Sequence, residues 1–170
     1  MLETTRLKLV PLRHEHMLLY KNNPQVLAQS LNIRYLERQN DPSTATDLEE
    51  AIDFWITQTK NHSENFQWFT TWEIIVKEEN VAVGGIGFAG LPDADGKSMI
   101  GYGLDMRYYR RGIATEALQA MINWAFRNTD LKTIIADTPL EHLASQRVLI
   151  KNNFVESSRD EALVHWSLNR

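Results

Sequence analysis

The chain contains no cysteine among its 170 residues. That excludes disulfides, thiolate metal sites and an acyl relay through a cysteinyl thioester. No apolar stretch approaches the roughly 20 residues that cross a bilayer, so no membrane partner is expected. The start, Met1-Leu2-Glu3-Thr4, lacks the basic-then-apolar run of a secretory signal, and the expected location is cytoplasmic. A basic surplus is also missing. The net charge of −4 offers no footing for nucleic acid and mildly suits a cationic partner. Repeats, low-complexity tracts and Gly-, Ser- or Pro-rich linkers are absent, so one domain over residues 1–170 is expected.

What is present switches between strand and helix periods. Leu7, Leu9 and Pro11 alternate with Arg6, Lys8 and Val10 in a first strand. Short helical stretches follow at Glu15 to Tyr20 and Gln25 to Leu31. A turn at Asn40-Asp41-Pro42-Ser43 leads into a clearer helix. There Leu48, Ala51, Ile52, Trp55 and Ile56 form one apolar stripe, opposite Asp47, Glu49, Glu50 and Asp53. Trp68 to Lys77 and Val81 to Phe88 read as strands joined at Glu78-Glu79-Asn80, and the Asp95-Gly96 turn leads to a third run, Met99 to Leu104. Helical spacing returns over Ala114, Ala117, Leu118, Met121, Ile122 and Ala125. A buried-looking strand at Thr133 to Ala136, a helix from about Leu143 to Lys151, and closing strands at Phe154 to Glu156 and Ala162 to Leu168 complete the chain. Antiparallel strands followed by a β-loop-α-β-α unit make the fold α+β, or mixed α/β.

The informative junction is Tyr109-Arg110-Arg111-Gly112-Ile113-Ala114-Thr115, where a strand ends and a helix begins. A helix start exposes unpaired N–H groups and a partial positive charge of about half a unit. Glycine lets backbone approach closely, and Arg110 and Arg111 add permanent charge, so the junction suits phosphate. A plain basic helix start is the competing reading. The Walker and dinucleotide patterns are both excluded, because Ile113-Ala114 follows the glycine and the loop has only one glycine.

Ile100-Gly101-Tyr102, Leu104-Asp105, Gly112-Ile113-Ala114-Thr115-Glu116-Ala117-Leu118 and Ser145-Gln146-Arg147-Val148-Leu149 occur in this order, after an early Thr4-Thr5-Arg6-Leu7. Together they resemble the GNAT N-acetyltransferases, in particular the branch that acetylates the N-termini of ribosomal proteins. The resemblance covers nearly the whole chain. It implies a central, mostly antiparallel twisted sheet with splayed strands, flanked by helices. It also implies acetyl-CoA as cosubstrate, with no metal. The pantetheine arm would pair with Leu104, Asp105 and Met106, and the amides of Tyr109, Arg110, Arg111, Gly112, Ile113, Ala114 and Thr115 would cup the pyrophosphate. His142 and Ser145 would lie beside the cofactor. Three positions depart from the family pattern. Tyr109 stands where Arg or Gln is usual, Arg110 where this branch often has Gly, and His142 where Asn is usual.

The implied reaction passes an acetyl group to an amine acceptor, either a small molecule or a protein N-terminus, by direct attack in a ternary complex. The resemblance makes Ser145 a candidate donor of the thiolate's proton. The tyrosine that many other relatives use is Leu149 here. Where relatives place a Glu before the Ile-Gly-Tyr strand this chain has Met99, so Glu73, Asp105 and Tyr102 are the remaining candidates for a base. Glu73 alternates with Trp72 and Ile74 and reads equally as solvent-facing, Asp105 as a turn residue, Tyr102 as packing. Presenting an α-amine neutral at pH 7 costs roughly 1 kcal/mol and a lysine amine roughly 4.6 kcal/mol, so a site without a base favours α-amines. Phe66, Trp68, Phe69 and Trp72 read as a packed sheet face or as an acceptor pocket. His14 and His16 diverge by about 200° on a helix, which excludes a shared metal. A CoA-binding module without turnover is the alternative to an enzyme, and either a monomer or a homodimer fits.

Overall fold

The structure, a computed structural model, describes residues 1–40 and 45–170, with residues 45–47 described through the backbone alone. An eight-stranded sheet runs in the order β1-β2-β3-β4-β5-β6-β8-β7. Its strands are β1 Leu2–Glu3, β2 Leu7–Pro11, β3 Thr71–Val76, β4 Val81–Phe88, β5 Lys97–Leu104, β6 Thr133–Pro139, β7 Val155–Arg159 and β8 Leu163–Asn169. Helices α1 His14–Asn22, α2 Pro24–Ser30 and α3 Ala45–Asn61 precede β3. Helix α4 Ile113–Ala125 links β5 to β6, and α5 Leu143–Lys151 follows β6. The sheet is antiparallel except where β5 meets β6, the one parallel pair, which is the pattern a β-α-β crossover enforces.

That pair sets the geometry of the molecule. Only Lys97, Ser98 and Met99 register against Thr133, Ile134 and Ile135. Past Met99, β5 stays with β4 as far as Leu104, while β6 continues along β8 as far as Pro139. The two strands therefore splay.

Trp72, Ile86 and Tyr102 lie side by side on β3, β4 and β5 and share one face. Helix α4 covers that face, with Trp124 packing 4.9 Å from Trp72 and 4.7 Å from Trp68, centroid to centroid. Leu118, Met121 and Ala125 of α4 are fully buried there, as the helical spacing requires. On the other face a smaller cluster joins Leu12, Met17 and Leu27 to Ile52, Trp55 and Ile56, so the apolar stripe expected on α3 packs against α1 and α2.

Two expectations need correction. The run expected to be strand from Trp68 begins as a 3-10 turn, Phe66–Trp68, and the strand starts at Thr71. Glu73 does not face solvent: the strand is buried on both faces, and Glu73 is 1% exposed. The turn expected at Asn40-Asp41-Pro42-Ser43 lies, from Asp41 on, outside the described residues. Among the described residues no helix is long and apolar enough to cross a membrane.

Candidate functional site

Two bonds fix the phase of the β4–β5 ladder: Asp105 N–H donates to Val83 at 2.8 Å, and Ala89 N–H to Met99 at 2.9 Å. In an antiparallel ladder alternate residues bond to one neighbour, so Gly101 and Gly103 turn to β4 and Ile100, Tyr102 and Leu104 turn their amides toward the splayed opening. The N–H groups of Asp105 and Met106 are not available there. Met106 donates to the Gln39 carbonyl at 2.9 Å, and Asp105 is taken by Val83. Backbone pairing with a pantetheine arm is therefore restricted, among the three expected residues, to Leu104 and to carbonyls.

Asp105 has a structural task as well. Its carboxylate accepts from the Gln39 N–H at 2.9 Å and the Arg107 N–H at 2.8 Å, capping the 3-10 turn Met106–Tyr108. The Arg107 side chain, with these amides, holds the carboxyl at about 2, so it stays charged and bound. These bonds occupy both carboxylate oxygens.

The loop beyond takes two left-handed steps, Arg110 at φ 61° and Gly112 at φ 75°. Gly112 is the N-cap of α4, and no side chain caps that helix. By helix geometry the amides of Ile113, Ala114 and Thr115 then have no partner within it. Helix α1 likewise has no side-chain cap, whereas Asn23 caps α2 and His142 caps α5. A broad groove of about 850 Å³ runs from Gly112 and Thr115 along α4, walled by the N-terminal residues.

The loop is braced from a direction that the sequence does not reveal. Arg6 reaches across to the Arg111 carbonyl at 2.9 Å and to Glu116 at 2.6 Å, and Glu116 also accepts from Thr4 at 2.5 Å. Burial pushes the Glu116 carboxyl up, and Thr4 and Arg6 outweigh it and hold it below its usual range. A Cβ on Gly112 would sit 3.3 Å from the Arg6 guanidinium, so this third arginine borders the open helix start. Arg111 lies 4.7 Å over the Tyr108 ring, whose hydroxyl donates to Glu79.

Of the three catalytic candidates, the fold brings two together. The Tyr102 hydroxyl lies 2.9 Å from the Ser145 hydroxyl and donates to the Ser145 carbonyl at 3.1 Å, pinning β5 to the start of α5 across the splay. Burial pushes the Tyr102 phenol up to about 12 against the opposing hydrogen bond to Ser145, which favours its protonated form. His142 receives the Ser145 N–H on Nδ1 at 3.1 Å, a helix cap that orients Ser145. Glu73 is elsewhere, on the opposite face of the sheet, in an ion pair with Arg38.

A further polar group, not found from the sequence, stands on the splayed stretch of β6. His165 Nδ1 lies 2.7 Å from Asp137 and its Nε2 3.2 Å from Asp160. Continuing the β5–β6 register two residues past Met99 and Ile135 would set Asp137 against Gly101, across the gap. The two carboxylates raise the His165 pKa above its usual value, Asp137 most. No sequence spacing signals this group, because its members lie 28 and 5 residues apart. Among the described residues no cluster could hold a metal ion.

Residues 6–155 match the family described as Acetyltransferase (GNAT) domain. The chain is a GNAT acetyltransferase. It is 32% identical over 123 residues to the uncharacterized N-acetyltransferase YjdG of Bacillus subtilis (strain 168), spanning 71% of each protein. Among solved structures it is similar to the ribosomal-protein-S5-alanine acetyltransferase from Vibrio fischeri, with a TM-score of 0.69, 16% identity, and 99% of this chain and 95% of that one covered. The ribosomal L7/L12 α-N-protein acetyltransferase RimL, in complex with coenzyme A, is similar at a TM-score of 0.68, 18% identity and coverage of 98% and 95%. The splayed mixed sheet is therefore the GNAT fold, and acetyl-CoA is the acyl donor of this enzyme.

Proposed function

We propose that the protein acetylates a primary α-amine, of the kind a peptide or protein N-terminus presents, by direct attack on acetyl-CoA. The observation that carries this is the Tyr102–Ser145 pair at the mouth of the β5–β6 splay, with no free carboxylate beside it on β5. The diphosphate rests on the open amides of Ile113, Ala114 and Thr115, with Arg6, Arg110 and Arg111 close by. The pantetheine arm enters the gap along Leu104 and Tyr102.

The acceptor's neutral nitrogen attacks the thioester carbonyl carbon, and a tetrahedral adduct forms. Its carbon–sulfur bond then breaks while Ser145 gives its hydroxyl proton to the departing sulfur and takes one from the nitrogen. The products are an amide and a thiol, and Ser145 ends as it began. Tyr102 stays protonated throughout, and its hydrogen bonds set the position of the Ser145 hydroxyl. The Tyr102–Ser145 pair itself offers no strong base with which to deprotonate an ammonium. It therefore selects amines that are partly neutral at pH 7, where an α-amine costs roughly 1 kcal/mol and a lysine roughly 4.6 kcal/mol. Positioning of amine and thioester in one gap supplies most of the rate.

Thiol release from acetyl-CoA, measured with an unblocked peptide and with the same peptide N-terminally blocked but carrying a lysine, tests the reading. Faster release with the unblocked peptide is expected at pH 7. Faster release with the lysine peptide would refute the α-amine preference, and no release with any amine would favour a CoA-binding module without turnover.

A further inference from the structure

Glu73 is a deeply buried acid that the acetyl-transfer scheme leaves unused. It is 1% exposed. One carboxylate oxygen, Oε2, carries Arg38, and the other, Oε1, has no hydrogen-bond partner. A buried acceptor left empty is costly, on the order of 1–3 kcal/mol, and such groups normally find a partner. Glu73 lines a cavity of about 230 Å³ between α2, the segment 31–40 and β3. At about 30 Å³ for a molecule of liquid water, that is room for several waters or one small organic molecule. Leu27, Ala28, Leu31, Ile33 and Leu36 form the apolar part of the lining, and Arg34, Tyr35 and Asn40 join them.

The floor has a definite hydrogen-bond pattern. Each nitrogen of the Arg38 guanidinium already has a partner: Glu73 on Nη2, the Tyr20 hydroxyl on Nη1 at 3.1 Å, and the Ala82 carbonyl on Nε at 3.4 Å. The Tyr20 oxygen accepts that bond, and among the described residues its own proton has no acceptor. Among the described residues the floor therefore presents one empty acceptor, Glu73 Oε1, beside the Tyr20 O–H and the second N–H of Arg38 Nη1 and of Nη2. The Glu73 carboxylate, through Oε2, and the Tyr20 oxygen sit on neighbouring nitrogens of a single guanidinium, so the two groups lie beside each other.

A ligand that satisfies both must donate and accept from adjacent atoms. An ammonium donates to Glu73, but it places a second cation beside Arg38 and leaves Tyr20 unserved. A carboxylate accepts from Tyr20, but it meets the Glu73 anion. A carboxamide does both without charge, its N–H on Glu73 and its carbonyl under Tyr20. We propose that this cavity is a binding site, separate from the acetyl-transfer gap, for a small primary carboxamide with an aliphatic body. The amide occupies the polar floor, and the hydrocarbon lies against the α2 wall.

The segment 31–40 that closes the cavity also holds the end of β5, through Gln39 to Asp105 at 2.9 Å and to Met106 at 2.9 Å. An occupant therefore sits one segment away from the strand that leads into the Gly112 loop, on the opposite face of the sheet.

Calorimetric titration of the full chain with 4-methylpentanamide, and with its amine and carboxylate counterparts, tests the assignment. The amide is expected to bind saturably, one per chain, with the amine and the carboxylate weaker by about tenfold or more, the worth of about one hydrogen bond. Tyr20→Phe should weaken the amide by a similar factor of about ten while coenzyme A binding is unchanged. Should Tyr20→Phe compromise folding, Ala28→Leu decides, because it fills the cavity from the wall without touching the floor and should abolish amide binding. A titration without saturation, equal binding of the three compounds, or full binding to Ala28→Leu would each overturn the proposal and leave only a water-filled cavity.

Discussion

Two polar centres lie on opposite faces of the same sheet, and they are built on opposite terms. Tyr102 and Ser145 are half-buried neutral groups whose hydrogen bonds are made to each other, at a place where the strands part. Glu73 and Arg38 form an ion pair at the floor of a cavity beside α2, and Glu73 Oε1 is unsatisfied. In the proposed mechanism the first centre moves a proton at small structural cost. The second is rigid, because each charge depends on the other. On the proposed scheme, chemistry and stability are separated across the thickness of one sheet.

Substitutions can break that separation. Arg38→Met is expected to have the largest effect, a loss of about 3–5 kcal/mol in urea unfolding, because it strands a buried carboxylate. Turnover per folded molecule should persist. Ser145→Ala should do the reverse, lowering kcat about 100-fold, or about 2.7 kcal/mol, with the melting temperature nearly unchanged. If Ser145→Ala unfolded the protein, or Arg38→Met abolished turnover in molecules that remain folded, the comparison would fail.

Gly112→Ala falls between the two. A left-handed residue with a side chain is strained by about 1–2 kcal/mol, and the new methyl group crowds Arg6. The expected result is a higher KM for acetyl-CoA with kcat largely kept, read from steady-state kinetics at saturating acceptor.

The smallest effect is expected at His165. Its folded pKa lies above the unfolded value near 6.5 because Asp137 and Asp160 accept its protons. The stabilisation from that pairing is complete below about pH 6.5 and is lost as pH rises through the raised folded value. Asp160 has the opposite sign: Ala162 and Leu163 amides and His165 lower its pKa, so its contribution is present above about 3.8 and fades in acid. Melting temperatures across this range should therefore show a shallow decline on the alkaline side that His165→Gln removes.

The strands and helices were legible where one face of an element is wet. Helix α5 begins and ends where its pattern places it, at Leu143 and Lys151. The same logic misplaced Glu73, because alternation assumes a solvent face, and β3 is covered on both sides. Residue types at the strand-to-helix junction were enough to mark the Gly112 loop. The contacts that brace it were not readable, since Arg6 and Glu116 lie 110 residues apart. Ser145 and Tyr102 were each singled out separately. Their meeting across 43 residues depends on a splay that no local pattern encodes. The two-residue strand β1 is too short to leave any periodicity, and it was missed.

The three-residue seam between β5 and β6 has a mechanical consequence. It divides the sheet into two leaves, β1 to β5 and β6 to β8, joined by a short stitch, the α4 crossover and the Tyr102–Ser145 clasp. A cosubstrate threaded into the gap acts as a missing rung, bonding to the inner edge of a leaf that otherwise ends in unpaired amides. Loading the donor should therefore stiffen the enzyme as a whole, and amide exchange should slow furthest from the reaction, on the outer leaf.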